Sequence, residues 1–371
     1  MELKDFDYNL PKELIAQKPV YPRDHSRLLV LDKSNPPPSR LRRTDGKISH
    51  HHFYEIGSFL KDGDVLVLNN TKVIPARLIG KKFETGGKVE VFLIQPKSKD
   101  LKEYRWVREW TVIGSPKLNQ GQKINFNRGL KGEIIKVLGQ ERIIKFNKSG
   151  KELERIIFQV GQTPIPPYIK SPDKENKLQK EYQTIFAKYF GSVAAPTAGF
   201  HFTAKLLKQL QKQGVKIEYV TLHVGLGTFQ PVKEENIKKH QMHSEWAMID
   251  KATAKRLNQY KKNKQRIISV GTTSCRTLES FCDKKGKLKL GAKFTNIFIY
   301  PGYKFKFIDG LVTNFHLPKS TLLMLVSAFA ALPSEASAKE GLKLIKKAYR
   351  EAIKKKYRFY SFGDAMLIIK S

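Results

Sequence analysis

Cysteine is nearly absent, with Cys275 and Cys282 the only two in 371 residues. Two thiols give neither the density of a disulfide scaffold nor the repeated Cys and His spacing of a zinc site, which argues against redox chemistry and a stapled fold. Long apolar runs are missing too. The longest, Leu322 to Leu332, is interrupted by Ser327 and falls well short of the roughly 20 residues of a bilayer span; it reads as a buried helix. The first ten residues carry Glu2, Asp5 and Asp7 without a basic start or an apolar stretch, so no secretion signal is expected and the protein should work in the cytoplasm. Acidic side chains are scarce relative to basic ones: 34 Asp plus Glu stand against 69 Lys plus Arg, a formal charge of +35. That excess builds a positive field that draws polyanions and makes nucleic acid the natural partner, the alternative being solvated surface lysines with no binding role.

At roughly 100 to 200 residues per domain the length allows two domains. Leu28 to Leu31 is a short apolar run that predicts a buried strand, followed by a breaker cluster from Asn35 to Ser39 with three consecutive prolines. Asp64 to Leu68 predicts a second strand. From about Lys61 to Val160 the pattern turns to short alternating runs, such as Lys131 to Leu138 and Arg142 to Phe146, separated by Gly, Asn and Lys; this is all-β patterning of a small barrel. Beyond Tyr168 helix and strand alternate. Thr203 can cap a helix with Leu206, Leu207 and Leu210 on one face and Gly214 at its end, and a strand follows around Ile217 to Val224. Asp250 can cap a helix through Tyr260, Arg266 to Val270 is a strand, and Ser334 to Tyr357 predicts an amphipathic helix. Such alternation implies an α/β layer domain.

Six segments could carry chemistry. Ser192 to Thr203, SVAAPTAGFHFT, surrounds His201 with small residues that let a ligand approach backbone amides at a helix start, although tight loop packing uses the same residues. Thr221 to Val232, TLHVGLGTFQPV, breaks at Gly225 and Gly227 beside His223. A dinucleotide fingerprint would need glycine where Gln230 stands, so backbone contact with a nucleoside, or a plain bulge, is the reading left. His240 to Glu245 gathers His240, His243 and Glu245 within six residues. No third cluster completes a metal site, and acid or base work by His243 or Glu245 is the better expectation, against a polar strand edge. Val270 to Arg276, VGTTSCR, offers Thr272, Thr273 and Ser274 at a helix start, with Arg276 placed for an anionic group; it lacks the lysine and glycine spacing of a phosphate-binding loop. Leu311 to Leu322 presents Asn314, Phe315 and His316 before a helix capped by Ser320, Phe315 being either a stacking ring or core. The closing segment Tyr357 to Met366, YRFYSFGDAM, sets Arg358, four aromatics and Asp364 together, suited to stacking on RNA or to an inward-packed strand.

In this order the segments resemble the S-adenosylmethionine:tRNA ribosyltransferase-isomerase family. The resemblance also runs through RDHSRLLVLD at 23–32, GDVLVLNNTKVIPARL at 63–78, GGKVEVFL at 86–93, IFIYPGY at 297–303 and TNFHLPKSTLLMLVSAF at 313–329, and it covers nearly the whole chain, thinnest from 97 to 158. Lys72 stands where arginine is usual and Phe200 where leucine is common. The resemblance implies a discontinuous α/β catalytic domain, residues 1–60 and 161–371, interrupted by a β-barrel over 61–160. It implies that S-adenosylmethionine is consumed as a ribosyl donor, not regenerated as a cofactor, with adenine and methionine leaving and no metal needed. The acceptor is tRNA with aminomethyl-deazaguanine at the wobble position, in tRNAs for Tyr, His, Asn and Asp, and the product epoxyqueuosine. A monomer is the expected state. The chemistry requires several acid and base groups, expected among His201, His223, His243, Glu245, His316 and Asp364, with Thr272, Thr273, Ser274, Arg276, Gly225 and Gly227 holding the nucleoside or methionine. Two rivals stay open at this point: a tRNA methyltransferase with the same cosubstrate, and a non-catalytic RNA-binding protein.

Overall fold

The structure, a computed structural model, describes residues 1–33, 47–98, 106–170, 175–225, 227, 232, 234–331 and 338–370. The proline cluster at 35–39 and Gln230 lie outside them. In chain order come β1 (Arg27–Asp32), β2 (Lys47–His52), β3 (Val65–Asn69) and β4 (Thr71–Val73). The next group is β5 (Arg77–Lys82), β6 (Lys88–Pro96), β7 (Glu109–Ser115), β8 (Lys123–Phe126), β9 (Lys131–Leu138), β10 (Glu141–Phe146), α1 (Gly150–Val160) and β11 (Gly161–Gln162). Then follow α2 (Glu175–Glu181), β12 (Tyr189–Ser192), α3 (Ala204–Lys212), β13 (Lys216–Leu222), β14 (Glu245–Ile249), α4 (Lys251–Lys262), β15 (Ile267–Val270) and α5 (Gly271–Phe281). The chain closes with β16 (Gly291–Thr295), β17 (Gly310–Asn314), α6 (Thr321–Ala330), α7 (Ala338–Lys354) and β18 (Ala365–Ile369).

One nine-stranded sheet runs in the order β16-β14-β13-β3-β15-β17-β18-β1-β2. Within it β13, β3, β15 and β17 are parallel, while β18 and β1 run the other way. Strands buried on both faces read as unbroken apolar runs, and β3 and β18 are buried at every residue. Their side chains alternate between two cores. Leu29, Val65, Val67, Leu311 and Met366 face α4 to α7, whereas Leu28, Leu66, Leu68, Val312 and Leu367 face α3 and the turn carrying Phe53 and Ile56. The result is a layered α/β domain, as expected. The helix starts are built as their residues predict: the side chains of Thr203, Asp250 and Ser320 accept from the backbone N–H of Leu206, Thr253 and Leu323. Gly214, at φ +90°, ends α3. Among the described residues, no helix is long and apolar enough to cross a membrane.

Six antiparallel strands, β5-β6-β7-β10-β9-β8, form a second sheet that β8 closes onto β5. The alternating residues Val89, Val91 and Leu93 point inward, and Leu153, Ile156 and Ile157 of α1 join the same core. The inserted small barrel is therefore present. Strand pairing bears on where it starts: Val65–Asn69 is hydrogen-bonded on both edges inside the nine-stranded sheet, so we set the start of the insertion near residue 74, after β4, rather than at 61. Of the two readings of the C-terminal segment, stacking on RNA and inward packing, the structure shows inward packing. Tyr357, Phe359, Tyr360 and Phe362 are all buried, as is Phe315, so their rings pack inward, Tyr360 and Phe315 also bordering a pocket.

Candidate active site

Parallel α/β sheets place ligands beyond the carboxyl ends of their strands, where turns into helices leave backbone groups uncommitted. A pocket lies there, over the ends of β13, β15 and β17, reached by Val224, by Gly271 to Thr273 and by Thr313 to Leu317. The small residues Ala194 to Ala198 form one wall, and Tyr168, Tyr360 and Ser361 another. Strand β15 passes straight into α5 at Gly271, whose φ of +86° makes the turn possible. Val270 has no side chain able to cap that helix, and no side chain does so, leaving the first-turn N–H groups available for an anionic ligand group.

Of the expected site residues, the structure brings Thr272, Thr273 and His316 to this pocket. Among the described residues, two buried polar atoms on them have no partner, Thr273 Oγ1 and His316 Nδ1. The other imidazole nitrogen of His316 lies 3.2 Å from Thr313 Oγ1, and its backbone N–H donates to Tyr349 Oη at 3.0 Å. Burial pushes the His316 pKa down to about 3, so the ring is neutral. Ser274, next to Thr273, is fully buried, and its Oγ has no partner among the described residues.

His201 does not line the pocket but stands directly behind it. Its Nδ1 is 2.7 Å from Ser26 Oγ and its Nε2 3.4 Å from Nδ2 of the pocket residue Asn314. Burial, then the nearby Arg23 charge, hold its pKa down at about 3.

His223, Glu245 and Arg276 lie in a separate buried region beyond Val224, while His243 and Asp364 stand elsewhere. His223 stacks on Trp246, with ring centroids 4.7 Å apart, and its Nδ1 is 2.8 Å from Thr71 Oγ1; burial lowers its pKa to about 3. Glu245 accepts from the Gly225 N–H at 2.9 Å and pairs with the Arg276 guanidinium, both side chains being only 5% exposed. That carboxylate is thereby committed, and the metal reading of 240–245 has no support: among the described residues no group of three or more His, Cys, Asp or Glu is gathered to hold an ion. Exposed His243 packs against Gly227, where an added Cβ would stand 2.5 Å from the imidazole. Asp364 braces the C-terminal loop. Its carboxylate accepts from the backbone N–H groups of Arg27 at 3.0 Å and Arg358 at 2.8 Å. Because Arg276 would be left buried without a counter-ion, Glu245→Ala is expected to cost about 3–5 kcal/mol. Urea denaturation checks this, and a loss below about 1 kcal/mol would mean the guanidinium finds water instead.

Sequence reasoning did not single out Thr313, Tyr168 or Ser361 as site residues. Thr313 carried a usable signal, its position at the carboxyl end of a strand parallel to β15. Tyr168 and Ser361 carried none, since they meet only in the fold, Oη to Oγ at 2.7 Å across 193 positions.

Fold and pocket thus define a class: an α/β protein with a barrel insertion and a pocket at the carboxyl ends of parallel strands. The family described as queuosine biosynthesis protein matches residues 3–368. The chain is 47% identical to an S-adenosylmethionine:tRNA ribosyltransferase-isomerase of Clostridioides difficile, over 99% of this chain and 100% of that one. It is 49% identical to one of Caldanaerobacter subterraneus subsp. tengcongensis, over the full length of both. A crystal structure of S-adenosylmethionine tRNA ribosyltransferase from Thermotoga maritima, 35% identical, covers 98% of this chain and all of its own, with a TM-score of 0.52. The chain belongs to the S-adenosylmethionine:tRNA ribosyltransferase-isomerase family, a family of enzymes.

Proposed function

We propose that the chain transfers the ribosyl moiety of S-adenosylmethionine to the aminomethyl-deazaguanine base at the tRNA wobble position and isomerises it to epoxyqueuosine, releasing adenine and methionine. The observation that carries this reading is the pair of buried, unpartnered polar atoms, Thr273 Oγ1 and His316 Nδ1, on a pocket over the ends of β13, β15 and β17. Buried polar groups are almost always hydrogen-bonded, so orphans in a pocket favour a ligand as the missing partner. The relatives' printed names supply its class.

The positive sulfonium of S-adenosylmethionine acidifies the adjacent ribose carbon, so the reaction needs a proton acceptor there, assistance for departing adenine and a neutral attacking amine. Neutral His316 is our choice of acceptor. Thr272, Thr273 and the first-turn N–H groups of α5 suit the methionine carboxylate. A base in a single-stranded anticodon loop can be splayed out at modest cost, and a protein of charge +35 attracts that loop; both substrates belong to the cytoplasm.

Incubating the purified protein with S-adenosylmethionine and tRNA bearing the aminomethyl base should release adenine and methionine and leave epoxyqueuosine in the RNA. S-adenosylhomocysteine as product would point to a methyltransferase, and binding without any small-molecule product to a non-catalytic RNA-binding protein.

A further inference from the structure

Asn314 ends β17, is buried and lines the pocket. Its Nδ2 lies 3.0 Å from the backbone carbonyl of Tyr360 and 3.4 Å from His201 Nε2. A carbonyl oxygen can only accept, so the amide cannot be turned over without setting two acceptors against each other. Both N–H bonds of Asn314 are therefore directed away from a ligand. His201 Nε2 must accept, which places the proton of the neutral ring on Nδ1, 2.7 Å from Ser26 Oγ. Burial pushes the imidazole pKa down to about 3 and keeps the ring in that neutral form. The Phe53 ring, with its centroid 5.0 Å from that of His201, holds the imidazole in place. The side-chain oxygen of Asn314 takes one hydrogen bond, from Thr197 Oγ1 at 3.3 Å, and retains a second lone pair.

We infer that Asn314 presents its side-chain carbonyl to the pocket and selects an O–H or N–H donor of S-adenosylmethionine, and that His201 is the positioning residue that holds Asn314 in this orientation. The inference rests on the proposed function for the identity of the ligand. It assigns His201 an orienting task with no part in proton transfer. It also gives Ser26, in the turn before β1, a share in the site: it accepts the Nδ1 proton and so holds the tautomer.

S-adenosylmethionine offers four candidate donors, its two ribose hydroxyls, the adenine amino group and the methionine ammonium. The test measures, by calorimetry, binding of S-adenosylmethionine and of four analogues that each lack one of them, to the full chain and to Asn314→Ala, His201→Ala, His201→Gln and Ser26→Ala. One analogue is expected to bind the unaltered protein about tenfold more weakly, the usual size of a lost buried hydrogen bond. That penalty should vanish in Asn314→Ala and His201→Ala, shrink in Ser26→Ala, and persist in His201→Gln, whose Oε1 can accept from Asn314. Which analogue responds identifies the donor. A penalty that survives in Asn314→Ala, or in His201→Ala, overturns the inference; should His201→Ala not fold, an undiminished penalty in Ser26→Ala does the same. Failure of the unaltered protein to bind S-adenosylmethionine at all would overturn the functional reading, and is distinguishable because it needs no variant.

Discussion

Replacing His316 by alanine is expected to lower turnover by about two to four orders of magnitude, the usual contribution of a positioned acid or base. The ring lies on the pocket and is kept neutral by burial, and its Nδ1 has no partner among the described residues, so a lone pair or a proton is available there to a ligand. Single-turnover release of adenine from enzyme loaded with tRNA isolates the chemical step, and S-adenosylmethionine binding measured alongside separates that step from affinity. Glutamine at the same position refines the expectation. It can hydrogen-bond but cannot carry a proton at neutral pH, so it should fail to restore the rate; if His316→Gln turns over normally, the imidazole only positions its ligand. Unimpaired turnover in His316→Ala removes the residue from the mechanism. Folding is expected to survive, because the backbone N–H of His316, not its ring, makes the bond to Tyr349.

Acid should unfold the protein well above the pH at which carboxylates titrate. His201 and His223 are buried and His316 half-buried, and loss of solvent holds all three pKa values down at about 3, against 6.5 for the exposed side chain in the unfolded chain. Above pH 6.5 neither state binds these protons. Between about 6.5 and 3 the unfolded chain takes them up and the folded chain does not, so stability falls as pH falls across that window. Each histidine contributes up to about 1.4 kcal/mol per pH unit, and the three together about 4 kcal/mol per unit, large against a typical total stability of about 5–15 kcal/mol. Urea midpoints measured between pH 7.5 and 5 should drop steeply, and His201→Gln should remove about a third of the slope. A midpoint that is flat over this range would mean the rings protonate in place without unfolding the chain.

Periodicity and end signals were enough to place β1, the helices capped by Thr203, Asp250 and Ser320, and the barrel strands at 131–138 and 142–146. These elements are set by short-range chemistry: a side-chain oxygen reaching an N–H three residues on, or alternation dictated by two faces of a strand. The division of the chain was less legible near residue 65. An apolar strand reads the same in a barrel or in a central sheet, and only the hydrogen bonds of β3 to β13 and β15 show which it joined.

The same contrast holds at the site. The sequence by itself determined which side chains were chemically eligible, because His, Asn, Thr and Glu beside small residues at helix starts are local features. Only the tertiary structure decided which of them share a cavity. His316, Thr272 and Thr273 meet over the ends of parallel strands, while Glu245 is occupied by Arg276, 31 positions away, and Asp364 by the backbone N–H groups of Arg27 and Arg358. His201 and Asn314 are 113 positions apart, and the turn into α3 and the end of β17 become neighbours only when the sheet is assembled. Local sequence governs the elements because their bonds close over three or four residues. The site depends on strand order, and strand order is fixed by burial summed over the whole chain.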